Sequence, residues 1–300
     1  MRIQYVPWKP QAPTIEVVRQ ANVIIDDLQS QGYDLTLRQL YYQFVSKGWL
    51  DNKQKEYKRL GDIVTKARLA GMMSWKAVVD RTRKVNVQPS WDDEAHIIQS
   101  VAQSFRTDRW NDQPVRLEVW IEKDALAGVF ERICTTLQVP FFACRGYASA
   151  SSMWRAGRRL KRHVERGQEV VILHFGDHDP SGIDMTDDIR SRLSLFGVDM
   201  ELHRMALNMD QVERYNPPPN PTKMTDSRAQ GYVVEYGNES WELDALEPSV
   251  LADLVRTEVE AHRDDDLWYE ATRKDEHSRH VLGLVADNYE DVSAYLEGEE

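Results

Sequence analysis

The chain has few cysteines and no long apolar run, and each absence excludes a class of protein. Only Cys134 and Cys144 occur among 300 residues, so a disulfide scaffold is excluded and reduced, buried thiols are expected. No stretch approaches the roughly 20 apolar residues that cross a bilayer. The start, MRIQYVPWKPQAP, lacks the apolar segment of a signal peptide. We therefore expect a cytoplasmic protein that does not bind membranes.

A phosphate-cradling glycine loop is also missing. The chain contains no G-x-x-x-x-G-K-[ST] segment, whose backbone N–H groups would hold the phosphates of ATP. No other stretch indicates an ATPase domain. Any ATP-driven step is therefore expected to depend on a separate protein.

Charge is unevenly distributed along the chain. The net charge is −11, but residues 1–200 carry +4 and residues 201–300 carry −15. Residues 52–84 alone carry +7. A local basic surface can bind phosphates on an acidic protein, although a solvated helix face carries the same residue types. The candidate DNA-binding residues here are Lys58, Arg59, Lys66, Arg68, Arg81, Arg83 and Lys84.

Helical periodicity dominates the first 112 residues. Apolar residues recur at helical spacing over about 14–30, 36–48 and 53–71, and an extended basic stretch follows. Three short helices before such a stretch are typical of a winged-helix module, which inserts a helix into the DNA major groove. We predict a mostly helical, winged-helix-like DNA-binding domain over residues 1–112.

Strands and helices alternate from about residue 113. VRLEVWIE, PFFACRG, EVVILHFGD and DMELHRMAL are strand-like, and helical segments separate them. This alternation predicts an α/β domain, a parallel sheet with helices on both faces. We place it at 113–230, where the proline-rich NPPPNPTK marks a loop near its end. An acidic helical extension, packed on this domain, is predicted over 231–300.

Three carboxylates follow two of the predicted strands. Glu122 ends VRLEVWIE, and Asp177 and Asp179 come directly after VVILHF. The carboxyl ends of parallel strands share one edge, and side chains at i and i+2 of extended backbone point the same way. Oxygen ligands without Cys or His select Mg²⁺ or Mn²⁺ over zinc. We predict a Mg²⁺ site at these three acids, against the alternative that they are helix caps and loop acids.

These motifs resemble those of a known enzyme family. GDHDPSGIDM is similar to the D-x-D-P-x-G motif of the Toprim domain in type IIB DNA topoisomerase A subunits. VWIEKDALAGVF is similar to that family's first motif, in which a strand-ending glutamate is followed by lysine. RGYASASS lies between the two, and HRMALNMDQVERY follows. The resemblance implies a Toprim fold for the α/β domain. Lys123, next to Glu122, is a candidate contact for the scissile phosphate.

The family carries a tyrosine nucleophile upstream of its Toprim domain. In the A subunit of DNA topoisomerase VI and the related meiotic double-strand-break protein, it lies in R-[DE]-[IL]-[YF]-Y. LRQLYYQF resembles this motif, with Gln39 in place of the usual acid. Carried over, Tyr42 is the nucleophile and Arg38 the cation beside the phosphate. Helical geometry indicates the same residue, since Tyr41 lies in the apolar stripe and Tyr42 is rotated off it by about 100°. The alternative is that both tyrosines only pack.

The resemblance implies Mg²⁺-dependent DNA cleavage by tyrosyl transesterification, as in a small stand-alone topoisomerase A subunit, with rejoining that needs no ATP. It also implies a double-stranded DNA substrate, a nucleoid location and a homodimer in which each tyrosine works with the other subunit's metal. Directed strand passage would require a separate ATPase subunit. Two alternatives stay open. A Toprim nuclease would use the metal to activate water, and a DNA-binding protein would carry an idle Toprim-like domain.

Overall fold

The computed structural model describes residues 2–79 and 88–298, which fall into two compact units. The larger unit combines Met1–Arg83 with Leu117–Glu260, and the smaller combines Lys84–Arg116 with Ala261–Glu300. The α-helices of the described ranges are α1 (Ala12–Ser30), α2 (Leu37–Ser46), α3 (Gln54–Leu69), α4 (Glu94–Ser104), α5 (Ala127–Leu137), α6 (Ala150–Glu165), α7 (Pro180–Leu195), α8 (Met209–Tyr215), α9 (Ala229–Tyr236), α10 (Pro248–Ala261), α11 (Asp265–Asp287) and α12 (Tyr289–Glu297). The strands are β1 (Val115–Ile121), β2 (Phe141–Ala143), β3 (Glu169–Phe175), β4 (Glu201–Ala206), β5 (Asn220–Pro221) and β6 (Glu239–Ser240). Within those ranges, no helix is long and apolar enough to cross a membrane.

Helices α1, α2 and α3 pack around one apolar core, as their periodicity predicts. Leu40 and Phe44 of α2 are fully buried in it. Helix α2 begins with a capping box, in which the Thr36 side chain accepts from Gln39 N and Gln39 Oε1 accepts from Thr36 N at 2.8 Å. Gln39, which stands where the resembled motif has an acid, therefore has a local structural role. The winged-helix form of this region stays a prediction.

The sheet of the larger unit has four strands in the order β2-β1-β3-β4, and the pairs β1–β2 and β3–β4 are parallel. On one face, Ile172 of β3 packs with Met153 of α6 and Met185 of α7. On the other face, Phe175 contacts Phe130 of α5, with ring centroids 4.8 Å apart. The predicted α/β architecture is confirmed at this level. The Toprim assignment stays a prediction.

The turn from β3 into α7 is tight and fixed by its own backbone. Asp179 is the N-cap of α7, because its Oδ1 accepts from Gly182 N at 2.7 Å, and Pro180 supplies the first helical residue, where its missing N–H is harmless. A Cβ at position 182 would lie 2.2 Å from the Asp177 carbonyl oxygen. Only glycine fits there, so the turn holds Asp177 close to the start of the helix.

A segment from later in the chain runs along this turn. His178 and Trp241 form an antiparallel bridge, with both N···O distances close to 2.9 Å (2.8 and 2.9 Å). Leu243 N then donates to Asp177 Oδ1 at 2.7 Å. The 3-10 turn Leu243–Ala245 packs on α2, and Ala245 enters the core of the three N-terminal helices. This segment therefore connects the helical region to the end of β3.

The smaller unit is built on the packing of α4 against α11. Its buried polar centre is Asp275, whose carboxylate is fully enclosed. The carboxylate accepts from Thr107 N at 2.9 Å, from Thr107 Oγ1 at 2.7 Å and from Arg109 Nε at 3.1 Å. Trp110 and Trp268 meet edge to face beside it. Two stretches far apart in sequence thus share one core.

Candidate active site

Three carboxylates approach one another beyond the carboxyl end of β3. Asp177 comes from the turn that follows β3, and Glu242 and Asp244 come from the segment that runs along this turn, with ligand oxygens within 4.8 Å of one another. Asp177 and Asp244 are buried and Glu242 is half-buried. Such a set of oxygen atoms could hold a metal ion. The metal-ligand set predicted from the sequence shares Asp177 with this group.

Glu122 and Asp179, the other two predicted ligands, have protein partners of their own. Glu122 Oε2 accepts from Asp177 N at 2.9 Å, and Asp179 caps α7. Burial raises the pKa of Glu122, and the charge of Asp179 adds to the rise. The two acids thus lie near the carboxylate group but outside the set at ligand distance. Their role as metal ligands stays a prediction.

Two protein cations already contact the three carboxylates. Lys123 Nζ lies 2.7 Å from Asp177 Oδ2 and 3.1 Å from Asp244 Oδ1, and it also contacts Glu242. On the other side, Arg38 Nε lies 2.6 Å from Asp244 Oδ2 and Nη2 lies 2.7 Å from Glu242 Oε2. The cluster therefore attracts cations, and Lys123 stands where an added metal ion would compete with it.

Burial and the neighbouring charges shift the pKa values of Lys123, Glu242 and Asp177. Burial opposes the charged form of Lys123, but Asp244, Asp177 and Glu242 outweigh it and raise its pKa. Burial also disfavours ionised Glu242, yet Lys123 and Arg38 lower its pKa. For Asp177, burial dominates and raises its pKa well above the usual range. Asp177 therefore takes up a proton more readily than Glu242.

Tyr42 lies directly beside this cluster. Its side chain is 6% exposed, and the Arg38 guanidinium carbon lies 5.6 Å from its ring centroid. Burial, together with the negative charges of Glu242 and Asp244, raises the pKa of Tyr42 to about 12. Its hydroxyl has no hydrogen-bond partner within residues 2–79 and 88–298, and the residue lines an open cavity. The predicted nucleophile is thus present and unengaged.

The neighbouring tyrosine has a structural role. Tyr41 OH accepts from Lys53 N at 2.8 Å and lies 3.1 Å from the Asp51 carbonyl oxygen, to which it can donate. These bonds fix the connection between α2 and α3. Of the two tyrosines, only Tyr42 has a hydroxyl that is free to react, within the part of the chain that the structure describes. Tyr41 is buried, as its place in the apolar stripe predicts, but Tyr42 is buried in the same core, so burial does not separate the two tyrosines as the helical geometry predicted.

Arg204 of β4 holds the turn that carries Asp177. Its Nη2 donates to the carbonyl oxygens of Asp177 at 2.6 Å and Leu207 at 3.2 Å, and its Nη1 donates to the carbonyl oxygen of Gly182 at 2.9 Å. Burial lowers the pKa of this guanidinium. The carbonyl bonds orient the backbone on both sides of Asp177. Arg204 is therefore a positioning residue.

Comparisons of the chain with protein-family models, with curated proteins and with solved structures found no match. The site is understood from its own residues, and two of them were not predicted from the sequence. Glu242 and Asp244 stand at i and i+2 in SWELDAL, the same spacing as Asp177 and Asp179. That repeated spacing, beside apolar residues, is the signal that could have identified them.

The predicted DNA-binding residues divide into three groups. Lys58, Arg59 and Lys66 on α3 are exposed, although Arg59 Nη1 lies 2.7 Å from Glu56 Oε2. Arg68 is folded back, because its Nη2 donates to the Trp75 carbonyl oxygen at 2.7 Å and its guanidinium carbon lies 4.7 Å from the centroid of that ring. The residues Arg81, Arg83 and Lys84 lie outside the described residues.

Proposed function

We propose that the protein cleaves DNA by metal-dependent tyrosyl transesterification, with Tyr42 as the nucleophile. One observation carries this proposal. The unengaged hydroxyl of Tyr42 lies beside a guanidinium, Arg38, and beside a three-carboxylate group, all within one compact unit. A nucleophile, a cation for the phosphate and a metal-binding group are the parts that phosphoryl transfer requires.

The carboxylates Asp177, Glu242 and Asp244 fit a hard divalent cation such as Mg²⁺ or Mn²⁺. Their donors are all oxygen atoms, and the group already surrounds the ammonium of Lys123. Bound there, the metal would neutralise phosphate charge and orient the DNA backbone. Lys123, released from the carboxylates, would then be available to contact the scissile phosphate.

The remaining steps belong to the residues of the chain. Tyr42 Oη forms a bond to phosphorus, and the bond from phosphorus to one sugar oxygen breaks. The proton lost by the phenol balances the proton gained by that sugar oxygen, so one ester replaces another. Arg38 stabilises the charge that develops on the phosphate oxygens. Because the phosphotyrosyl ester conserves the bond, rejoining needs no ATP.

The proposed substrate is double-stranded DNA, bound in part by the exposed cations Lys58, Arg59 and Lys66 of α3. Tyr42 and the carboxylate group occur together in one chain, so, in contrast to the arrangement that the resemblance implies, a single copy has the parts to cut one strand. A homodimer would cut both strands. Strand passage of the topoisomerase kind would need a separate ATPase subunit, and the setting would be the nucleoid.

The experiment that tests this function compares Tyr42→Phe with Tyr41→Phe on supercoiled plasmid. The proteins are incubated with DNA and Mg²⁺ or Mn²⁺, denatured, and run with and without protease digestion. We expect wild type and Tyr41→Phe to give broken DNA that enters the gel only after protease. Tyr42→Phe gives none, because it keeps the ring and loses only the reacting oxygen.

The outcomes separate the candidate chemistries. Free broken ends that Tyr42→Phe makes as well as wild type would exclude the tyrosyl mechanism and support a metal-dependent nuclease that uses water. Adducts that survive in Tyr42→Phe but vanish in Tyr41→Phe would assign the nucleophile to Tyr41. Full cutting activity in an Asp244→Asn variant would exclude the proposed metal-ligand group.

A second candidate, a non-catalytic DNA-binding protein, is favoured by one specific contact. Lys123 and Arg38 compensate most of the charge of the carboxylate group without any metal. In that case the cluster would be a buried ion-pair network that joins α2 to the sheet. Calorimetric titration with Mn²⁺ distinguishes the two functions. The cleavage function predicts saturable Mn²⁺ binding that Asp244→Asn abolishes, and the DNA-binding function predicts no such binding.

A further inference from the structure

An open cavity of about 390 Å³ lies beside Tyr42 in the larger unit. This volume falls within the range of roughly 300–1,000 Å³ that small-molecule sites occupy. Its wall combines cations, tyrosine rings and side-chain amides, with one carboxylate from the site described above. The lining residues are Arg38, Tyr41, Tyr42, Asn52, Gln54, Tyr57, Asn220, Lys223 and Glu242.

The cationic part of the wall suits a phosphate. Two nitrogens of Arg38 bind Asp244 and Glu242, and its third, Nη1, has no partner in the described part of the chain. Lys223 is exposed and lines the same cavity. Arg38 lies beside the Tyr42 ring, and both cations line the cavity that Tyr42 lines. A phosphate held by Arg38 would therefore lie on the side of the cavity that carries the proposed nucleophile.

The aromatic part of the wall suits a nucleobase. Tyr41 lies between two other tyrosines, with its ring centroid 5.5 Å from that of Tyr42 and 5.4 Å from that of Tyr57. The hydrogen bonds of Tyr41 OH to the α2–α3 connection hold this group in place. Stacking on such a ring contributes about 1–3 kcal/mol per base. Tyr41 and Tyr42 are buried, so Tyr57, which is half-buried, is the ring that a base can stack on. Its packing against Tyr41 holds it rigid, which lowers the entropic cost of binding.

The amide part of the wall can read a base edge. Asn52 Nδ2 donates to Asn220 Oδ1 at 2.6 Å. This bond orients the Asn220 side chain and uses its oxygen, so the Asn220 amino group takes no part in it. Neither that amino group nor the side-chain amide of Gln54 has a partner among residues 2–79 and 88–298. A carboxamide pairs with adenine through one donor and one acceptor. The unused amide groups match adenine better than the other bases.

We propose that this cavity binds one adenine nucleotide, with its phosphate at Arg38 and Lys223 and its base between Tyr57 and the amides. That this nucleotide adjoins the scissile phosphodiester rests on the proposed function, whereas the binding itself does not. A base can enter the cavity only by leaving the helical stack, which costs least in unpaired DNA. The cavity would thus set a sequence preference at one position of the cut.

The test uses a trinucleotide with 8-vinyladenine, a fluorescent adenine analogue that keeps the N6 amino group and N7, at its central position. Stacking on a tyrosine quenches this fluorophore, so binding is measured directly with Mg²⁺ present. Tyr57→Ala, which removes the partly exposed ring, should abolish the quenching. Gln54→Ala and Asn220→Ala should each weaken binding about tenfold, as expected for one lost base contact. Gln230→Ala, which removes an exposed amide from α9, is the matched control and should bind normally.

Three results would overturn the inference. The first is that wild type does not quench the fluorophore. The second is that Gln230→Ala weakens binding as much as Gln54→Ala does. The third is that unlabelled trinucleotides with adenine, guanine or thymine at the centre compete equally well. Gln54 is exposed, so its variant folds and keeps the test valid if Asn220→Ala does not. Saturable binding without a DNA adduct on plasmid would refute only the proposed function. An adduct without trinucleotide binding would refute only this inference.

Discussion

At the scale of single residues, the site is governed by the competition of cations for three carboxylates. Lys123 contacts all of them, and Arg38 contacts two. A buried, ionised acid without a cation beside it destabilises the fold. A divalent ion can therefore displace Lys123 only if the ion compensates the negative charge that the lysine had compensated. Under the proposed function, the chain's own lysine therefore lowers the affinity of the group for a metal.

Replacing Lys123 by methionine should expose this competition. The variant keeps most of the side-chain volume but removes the ammonium, so it should lose about 3–5 kcal/mol of stability without metal. It should bind Mn²⁺ about tenfold or more tightly than wild type. Electron paramagnetic resonance titration measures the affinity for Mn²⁺. Thermal melting with and without Mn²⁺ measures how much of the lost stability the metal restores. Lys58→Met, at an exposed position, should change neither. Equal Mn²⁺ affinity in Lys123→Met and wild type would contradict the idea.

A second residue-scale property is the neutral His174 beneath the site. Burial lowers the pKa of His174 from 6.5 to about 3, with Arg204 adding to the effect. Between these two values the unfolded chain binds a proton that the folded chain does not. Stability is therefore full above about pH 6.5 and falls as the pH drops below it, by up to about 1.4 kcal/mol per pH unit.

Urea unfolding at several pH values checks this expectation. His174→Asn, whose side-chain amide can replace Nδ1 in the 2.9 Å bond to Thr186 Oγ1, should remove about one proton from the pH dependence. Burial lowers the pKa of His178 to about 4, and His178 contributes equally to the pH dependence of stability in both proteins. His96→Gln, at the protein surface, is the control. A pH slope that is the same in His174→Asn and wild type would show that His174 is not buried neutral.

At the scale of elements, the helices and strands were predictable, and the assembly of the site was not. Periodicity placed α1, α2 and α3 within a few residues of their observed bounds, because local apolar spacing decides which face is buried. The i, i+2 rule for extended backbone predicted that Asp179 would point the same way as Asp177. Helix α7 begins directly after Asp179, however, and its side chain caps that helix by accepting from Gly182 N. Glu242 and Asp244 reach the site through the bridge of Trp241 to His178, a long-range pairing that local sequence patterns do not contain.

Helix α2 carries Arg38 and Tyr42, so its start should matter for the chemistry. Thr36→Ala removes the N-cap and should cost about 1 kcal/mol in urea unfolding. Ser149→Ala, which removes the N-cap of α6, should cost a similar amount. Only Thr36→Ala should also reduce the yield of protein–DNA adduct, because it loosens the turn that bears Arg38. Equal loss of adduct in both variants would indicate a general stability effect.

At the scale of the whole molecule, the chain forms two units, each made of two separate stretches. Composition alone gave no sign that α4 would pack on α11, since both surfaces are mixed in polarity. The buried carboxylate of Asp275 ties them together by bonds to Thr107 and Arg109. The smaller unit thus has its own polar centre, separate from the candidate active site.

Asp275→Ala should therefore destabilise the smaller unit selectively. Loss of the buried carboxylate leaves Arg109 and the Thr107 N–H without their acceptor, at a cost of about 3 kcal/mol. Hydrogen exchange should accelerate in α4 and α11 while β1 and β3 keep their protection. Glu276→Ala, at the neighbouring exposed position, should leave exchange unchanged. Equal acceleration in the sheet would mean that the two units unfold together.

The bridge between His178 and Trp241 also has a consequence for protein synthesis. The carboxylate group needs residues from positions 177, 242 and 244, so two of its three acids emerge from the ribosome after Tyr42, Arg38 and the whole four-stranded sheet. A nascent chain that stops before residue 241 carries Tyr42 and Arg38 but lacks the group that would hold the metal. Under the proposed function, the potentially harmful ability to break DNA is therefore acquired late, after the scaffold that controls it has been made.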